Sequence, residues 1–231
     1  MAAWHLSRVG DAALMLSFGE GIDPLGNSQA VTFAERVRQG SYVGVRDAVP
    51  SYSSVTVHFH PLRTDLSNLV KEMKSLAVDV LIATKATLGR PREIVIPVCY
   101  GGVFGPDLTV IAKFADCSEE EVVKRHLGLT YRVYMMGFLP GFAYLAQVES
   151  SIAMPRRRTP RVSVPSGSVG IAGRQTGIYP FDAPGGWQIV GRTPLSVHLI
   201  GCGDVFLLKP GDSVKFRSID RAEFEKLSAE P

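Results

Sequence analysis

Residues 131–216 are broken into strand-length apolar pieces with glycine or proline in the gaps: YRVYMMGF, RVSV, SVGIA, WQIV, SVHLI, DVFLL and SVKF. Pieces this short cannot stand alone, and each must bury its apolar face by pairing with neighbours. Many short strands separated by Gly/Pro turns predict a closed barrel or a sandwich. The densest turn chemistry lies in GRQTGIYPFDAPGGW, residues 173–187. There Gly173, Gly177, Pro180, Pro184, Gly185 and Gly186 interleave with Arg174, Gln175, Thr176, Tyr179, Asp182 and Trp187. A linker would be polar and plain, and an ordinary strand would alternate; this stretch does neither.

The preceding part of the chain has a different texture. AALMLSF reads as a strand, and Asn27 as the cap of a helix with Ala30, Val31, Ala34 and Val37 on its apolar face and Gly40 as its stop. VRDAVPSY reads as a short extended piece. SVTVHF alternates, with Val55, Val57 and Phe59 on one side, and LSNLVKEMKSLAVDVL carries a helical stripe of Leu66, Leu69, Val70, Met73, Leu76 and Ala77. The order β-α-β-β-α predicts a ferredoxin-like unit over residues 1–89, its remaining strand unassigned. GRPRE marks the boundary, and a β-rich domain over residues 90–231 opens with EIVIPV. Within it, helices are expected near residues 108–115 and 118–127. The second starts on a capping box, Ser118 with Glu121, and stops at Gly128. DRAEFEKLSAE closes the chain as a short amphipathic helix.

A length of 231 residues suits two domains of this size. The net charge of +3 is too small for bulk attraction to nucleic acid or membrane, and 20% charged residues is ordinary for a globular protein. Cys99, Cys117 and Cys202 lie far apart with no CxxC pair, so neither a disulfide framework nor a zinc site is indicated, and buried reduced thiols in a cytoplasmic protein are expected. Gly167, Gly170 and Gly173 follow GxxGxxG spacing, which is neither a dinucleotide fingerprint nor a P-loop. No GxSxG, HExxH or Asp-x-Asp stands in the chain.

What remains is a cluster of guanidiniums in the Gly/Pro-rich stretch. Arg156, Arg157, Arg158, Arg161, Arg174 and Arg192 face only Glu149 and Asp182 between residues 137 and 193. Arginine's planar fork matches carboxylate and phosphate, and glycine lets backbone amides approach an anion. A groove for a small anion is one reading; a turn-rich barrel with solvated arginines is the other. Phe138, Phe142 and Tyr144 in GFLPGFAYL suit a pocket wall or a core. His126, near a helix C-terminus, suits a structural or a proton-carrying role.

Three long motifs resolve part of this: YRVYMMGFLPGFAYL, AMPRRRTPRVSVPSGSVGIAGRQTGIYPFDAPGGWQIVGRTPL and LLKPGDSVKF. In that order they resemble the family of KipI and the 5-oxoprolinase B-type subunits, also labelled allophanate hydrolase subunit 1. The likeness extends forward through AVPSYSSVTVHF and VGDAALMLSFG; SVHLIGCGDV, at 196–205, departs from the family's acidic, proline-containing form.

The resemblance implies a cyclophilin-like β-barrel after the ferredoxin-like domain. It implies one component of an ATP-dependent 5-oxoprolinase, inactive alone. The companions would be a cyclophilin-like C-type partner and an A-type partner, with ATP bound at or with one of them. Inhibition of a sensor histidine kinase and carboxyltransferase-type chemistry of urea metabolism are the alternatives the family offers. On a barrel groove built from residues 137–144 and 161–192, the candidate catalytic residues are His126, Arg161, Gln175 and Tyr179. Phe138, Phe142, Ser168, Thr176, Trp187 and Arg192 are the candidate substrate contacts, and no metal is expected. A lactam is a stable amide, so its opening needs coupling to ATP and positive groups around a developing phosphate.

Overall fold

The computed structural model describes residues 4–86, 91–198 and 205–229, and the chain divides into two units, Met1–Arg90 and Pro91–Pro231. The first opens with a hairpin of β1 (His5–Val9) and β2 (Ala13–Ser17), followed by helix α1 (Pro24–Gln39). A second hairpin, β3 (Val45–Ser51) and β4 (Ser54–Phe59), leads to helix α2 (Leu66–Ala86). The strands form one antiparallel sheet in the order β1-β2-β4-β3. This is ferredoxin-like with one rearrangement: the strand expected after the second helix comes first, as β1, and fills the same sheet position beside β2. HLSRV pairs on one side only and stays partly exposed, so it carries no clean alternation. Pro50 is tolerated because β3 lies at the sheet edge, where a missing N–H costs little.

Leu14, Leu16, Val55, Val57 and Phe59 supply the buried sheet face, which packs against Ala30, Phe33, Ala34 and Val37 of α1 and Leu69, Met73 and Ala77 of α2. The cap of α1 differs from expectation. Asp23, not Asn27, accepts the Gly26 amide, and Pro24 occupies the first turn, where its missing N–H is harmless. Asn27 is fully buried and donates from Nδ2 to the Tyr52 carbonyl at 2.6 Å. Val31 is only half-buried; Phe33 takes the interior position beside it.

The second unit contains β5 (Glu93–Tyr100), α3 (Leu108–Phe114), α4 (Glu119–Leu127), β6 (Thr130–Met136) and β7 (Ala143–Ala146). There follow β8 (Arg161–Val164), β9 (Ser168–Ala172), β10 (Gln175–Ile178), β11 (Ala183–Gly185), β12 (Gln188–Arg192), β13 (Ser213–Ile219) and α5 (Arg221–Ser228). Seven of these strands close a cyclophilin-like barrel in the order β10-β7-β6-β13-β5-β12-β9, while β8 and β11 pair separately as a two-stranded ribbon. Ser118 caps α4, its Oγ accepting the Glu121 amide at 3.2 Å, while the Glu121 carboxylate pairs with Arg125 one turn on. SVHLI and DVFLL meet in a single bridge, His198 with Phe206. Most of the atypical 196–205 stretch, and Cys202 with it, lies outside the described residues.

Alternation along the barrel strands separates two apolar clusters. Val190, Ala143, Leu145, Val169 and Ile171 point into the barrel with Tyr131, Val133 and Phe216. Ile189 and Tyr144, the immediate neighbours of Val190 and Leu145, point the other way and join Phe142, Val164, Ala172, Tyr179 and Trp187. The barrel therefore has a filled interior and a second, aromatic core on its outer face.

Candidate functional site

The outer-face core surrounds a pocket of about 270 Å³ lined by Phe138, Tyr144, Arg156, Pro160, Tyr179, Pro184, Gly185, Gly186 and Trp187. Behind the lining lies Phe142, whose ring meets Tyr144, Tyr179 and Trp187 edge-on at centroid distances of 4.9, 5.3 and 5.3 Å. Edge-to-face packing lets the positive rim of one ring meet the negative face of the next, so the cluster is rigid as well as apolar. Two glycines make it possible. A Cβ on Gly177 would press on the Phe142 ring at 3.0 Å, and one on Gly185 would collide with the Tyr179 hydroxyl.

Phe138 overhangs the opening. It is 61% exposed, packs edge-on against Phe142 at 5.6 Å, and has φ of 69°, in the left-handed region that bulky residues avoid. Strain of this kind persists where its surroundings enforce it, and it gathers at functional sites. Arg156, exposed, stands over the Trp187 ring with its guanidinium carbon 5.7 Å from the centroid. Tyr179 is buried, and burial pushes its phenol above the ordinary tyrosine value despite a hydrogen bond from the Trp187 backbone and the nearby charges of Arg156 and Arg161. It is a neutral hydroxyl at physiological pH.

Beside the pocket lies a residue that no sequence motif singles out. Asp107, 2% exposed, takes Nη1 of Arg157 at 3.0 Å and Nη2 of Arg161 at 2.7 Å on Oδ1, and the Ile189 amide at 2.7 Å on Oδ2. Its own amide donates to the Ile189 carbonyl at 2.9 Å. Asp107 stands at the N-cap position of α3, yet its side chain makes no capping bond.

The structure gathers some of the expected site residues and disperses others. Phe138, Tyr179 and Trp187 come together at the pocket with Phe142 behind them, and Arg161, near enough to act on Tyr179, is held by Asp107 outside the lining. Gln175 falls on the outer face by alternation but is not part of the lining. Ser168 is buried and braces the turn through its carbonyl, which accepts the Tyr179 amide at 2.9 Å. Arg192 lines a different cavity of about 250 Å³ with Ser166, Thr193 and Phe224, and its Nε is committed to the Ser166 carbonyl at 2.7 Å.

His126 and Thr176 belong to the barrel interior. His126 is 1% exposed and stacks on Phe216 at 4.7 Å. Its hydrogen bonds fix its tautomer. Thr176 Oγ1 donates to the Gly170 carbonyl at 2.9 Å, so it accepts from His126 Nε2 at 3.0 Å, which leaves Nδ1 to accept the Tyr100 hydroxyl at 2.9 Å. Desolvation alone lowers the His126 pKa to about 3. The ring is neutral, fully partnered and sealed in, so a proton-carrying role for it has no path to the pocket; it ties α4 to the barrel strands. Among the described residues, no group of three or more His, Cys, Asp or Glu is placed to hold a metal ion, and no helix is long and apolar enough to cross a membrane.

Comparison with known proteins sets these features in a wider group. The model of a family described as carboxyltransferase domain, subdomain C and D, matches residues 4–200. A curated relative, the B subunit of 5-oxoprolinase from Bacillus subtilis (strain 168), is 38% identical over 234 residues, spanning 98% of this chain and 98% of its own. The solved structure of TTHA0988 is similar with a TM-score of 0.79 and 36% identity over 90% of this chain; the match spans 40% of that longer chain. Urea carboxylase of Kluyveromyces lactis, 18% identical with a TM-score of 0.71 over 96% of this chain and 22% of its own, shares the fold.

Proposed function

The chain belongs to the carboxyltransferase domain family, subdomain C and D, and on that footing we propose that it is the B-type subunit of a cytoplasmic 5-oxoprolinase. With partner subunits of the A and C types it opens 5-oxo-L-proline to L-glutamate, coupled to ATP. Identity of 38% across 98% of both chains supports this assignment. The observation that supports the substrate is an indole face, Trp187, with the Arg156 guanidinium over it and the Tyr144 ring set edge-on beside it at 62°. The planar lactam stacks against the indole, and Arg156 turns from the ring to the carboxylate, trading a cation–π contact for a charge-assisted hydrogen bond. The neutral Tyr179 hydroxyl borders the same space.

The pocket's size, about 270 Å³, suits a five-membered ring bearing one carboxylate and not a nucleoside triphosphate. ATP is therefore assigned to a partner, which phosphorylates the amide oxygen and makes the ring carbon electrophilic. This chain's share is to bind and orient the ring, exclude water with Phe138, and hold positive charge nearby.

The experiment is to assemble the chain with A- and C-type subunits and follow ATP-dependent glutamate release. Arg156→Ala is expected to lower kcat/KM about tenfold or more, the loss of one charge-assisted contact. Undiminished turnover would remove the pocket from the reaction, and turnover that needs biotin in place of ATP would move the chain to carboxyl transfer.

A further inference from the structure

Arg156 meets the Trp187 ring, and a long exposed side chain on a loop needs its backbone held if it is to stay there. The segment at residues 155–161 has no strand partner before β8. It is tied instead at four points. The Arg157 amide donates to the Gly186 carbonyl at 2.7 Å, and Gln188 Nε2 donates to the Pro155 carbonyl at 3.0 Å. The side chains of Arg157 and Arg161, one on each side of Pro160, converge on the single oxygen Oδ1 of Asp107.

We infer that Asp107 is a positioning residue: by holding Arg157 and Arg161 it seats the 155–161 segment so that Arg156 stands over Trp187 at the mouth of the pocket. Three observations converge on this role. Asp107 gives up the capping bond that an aspartate at its position ordinarily makes, and commits both oxygens to residues 50, 54 and 82 positions away. Its other oxygen holds Ile189, two residues beyond Trp187, so one carboxylate fixes both the loop that carries the guanidinium and the strand that follows the indole. The arrangement is also poor as a device for stability. Arg157 Nε and Arg161 Nη1 are buried without partners, and two guanidiniums share one carboxylate. Orphaned buried donors destabilise a fold, and a clamp kept despite them has a geometric purpose.

The catalytic consequence rests on the function proposed above; the geometric claim does not, and the experiment separates them. Trp4 and Trp187 are the two tryptophans of the chain, so a Trp4→Phe background leaves Trp187 as the sole indole reporter. In that background Asp107→Asn is expected to raise acrylamide quenching of Trp187 about twofold or more as the buried ring opens to solvent. In the assembled complex the same variant should raise KM for 5-oxoproline about tenfold with kcat within about twofold, the signature of a binding group displaced and not of a lost chemical step. Should Asp107→Asn fail to fold, Arg157→Gln and Arg161→Gln remove the arms one at a time while keeping the bond to Ile189, and each should show the same two changes in smaller degree. Unchanged Trp187 quenching in the folded variants overturns the inference. Changed quenching in a complex without 5-oxoproline turnover upholds the clamp and overturns the functional reading alone.

Discussion

Two buried polar arrangements in the barrel domain, one neutral and one ionic, differ in how completely they are satisfied. Inside the barrel, Tyr100, His126, Thr176 and the Gly170 carbonyl form a chain in which each donor meets one acceptor. On the outer face, Asp107 meets two guanidiniums that keep unpartnered N–H groups, and at the pocket Phe138 is held exposed in a left-handed conformation. A satisfied network stabilises and specifies a fold; an unsatisfied one, with local strain, costs stability and is retained where geometry serves binding. On the function proposed above, the interior of this barrel is its structural half and its outer face its working half.

The sharpest way to break that division is acid. The His126 pKa in the folded protein, about 3, lies below the usual value of 6.5. The unfolded chain therefore takes up the proton first. The contribution of the neutral ring is complete above pH 6.5 and is lost as pH falls toward 3, with a slope of up to about 1.4 kcal/mol per pH unit. Urea unfolding followed across that range should show this slope in the wild type and lose it in His126→Phe.

Phe142→Ala comes next, with an expected loss of about 3–5 kcal/mol, because its buried ring is the one that Tyr144, Tyr179 and Trp187 all pack against. Thr176→Val should cost about 1–3 kcal/mol by stranding the His126 Nε2 proton in the core, while leaving Trp187 emission unchanged. The smallest effect has the opposite sign. Phe138→Gly relieves the left-handed backbone and should gain up to about 1 kcal/mol in thermal unfolding, while the affinity of the assembled complex for 5-oxoproline falls. A variant that lost both stability and affinity would erase the contrast between the two regions.

The aromatic cluster of the outer face was partly legible in the sequence. Phe138, Phe142, Tyr179 and Trp187 stand among glycines and prolines, where turn chemistry brings distant rings together, and their rings share one cluster. Asp107 was not legible, because a capping aspartate before an apolar run looks the same whether it caps its helix or reaches a strand 82 residues on. His126 misled for a related reason. Its place in the last turn of α4 matches a solvated cation at a helix end, and the rings that bury it, Tyr131 and Phe216, arrive from β6 and from β13 far along the chain. The swapped strand of the first unit escaped because an edge strand with one paired side need not alternate. Local periodicity carries the elements; nonlocal pairing decides which polar groups end up partnered.

The central claim is that the outer-face pocket takes the lactam with Arg156 on its carboxylate. Titrating 5-oxoproline into the assembled Trp4→Phe complex while following Trp187 emission tests it most directly. A saturable change, abolished by Arg156→Ala, is the result expected. Full ATP-dependent turnover with no response from Trp187, and with Arg156→Ala at the wild-type kcat/KM, would contradict it.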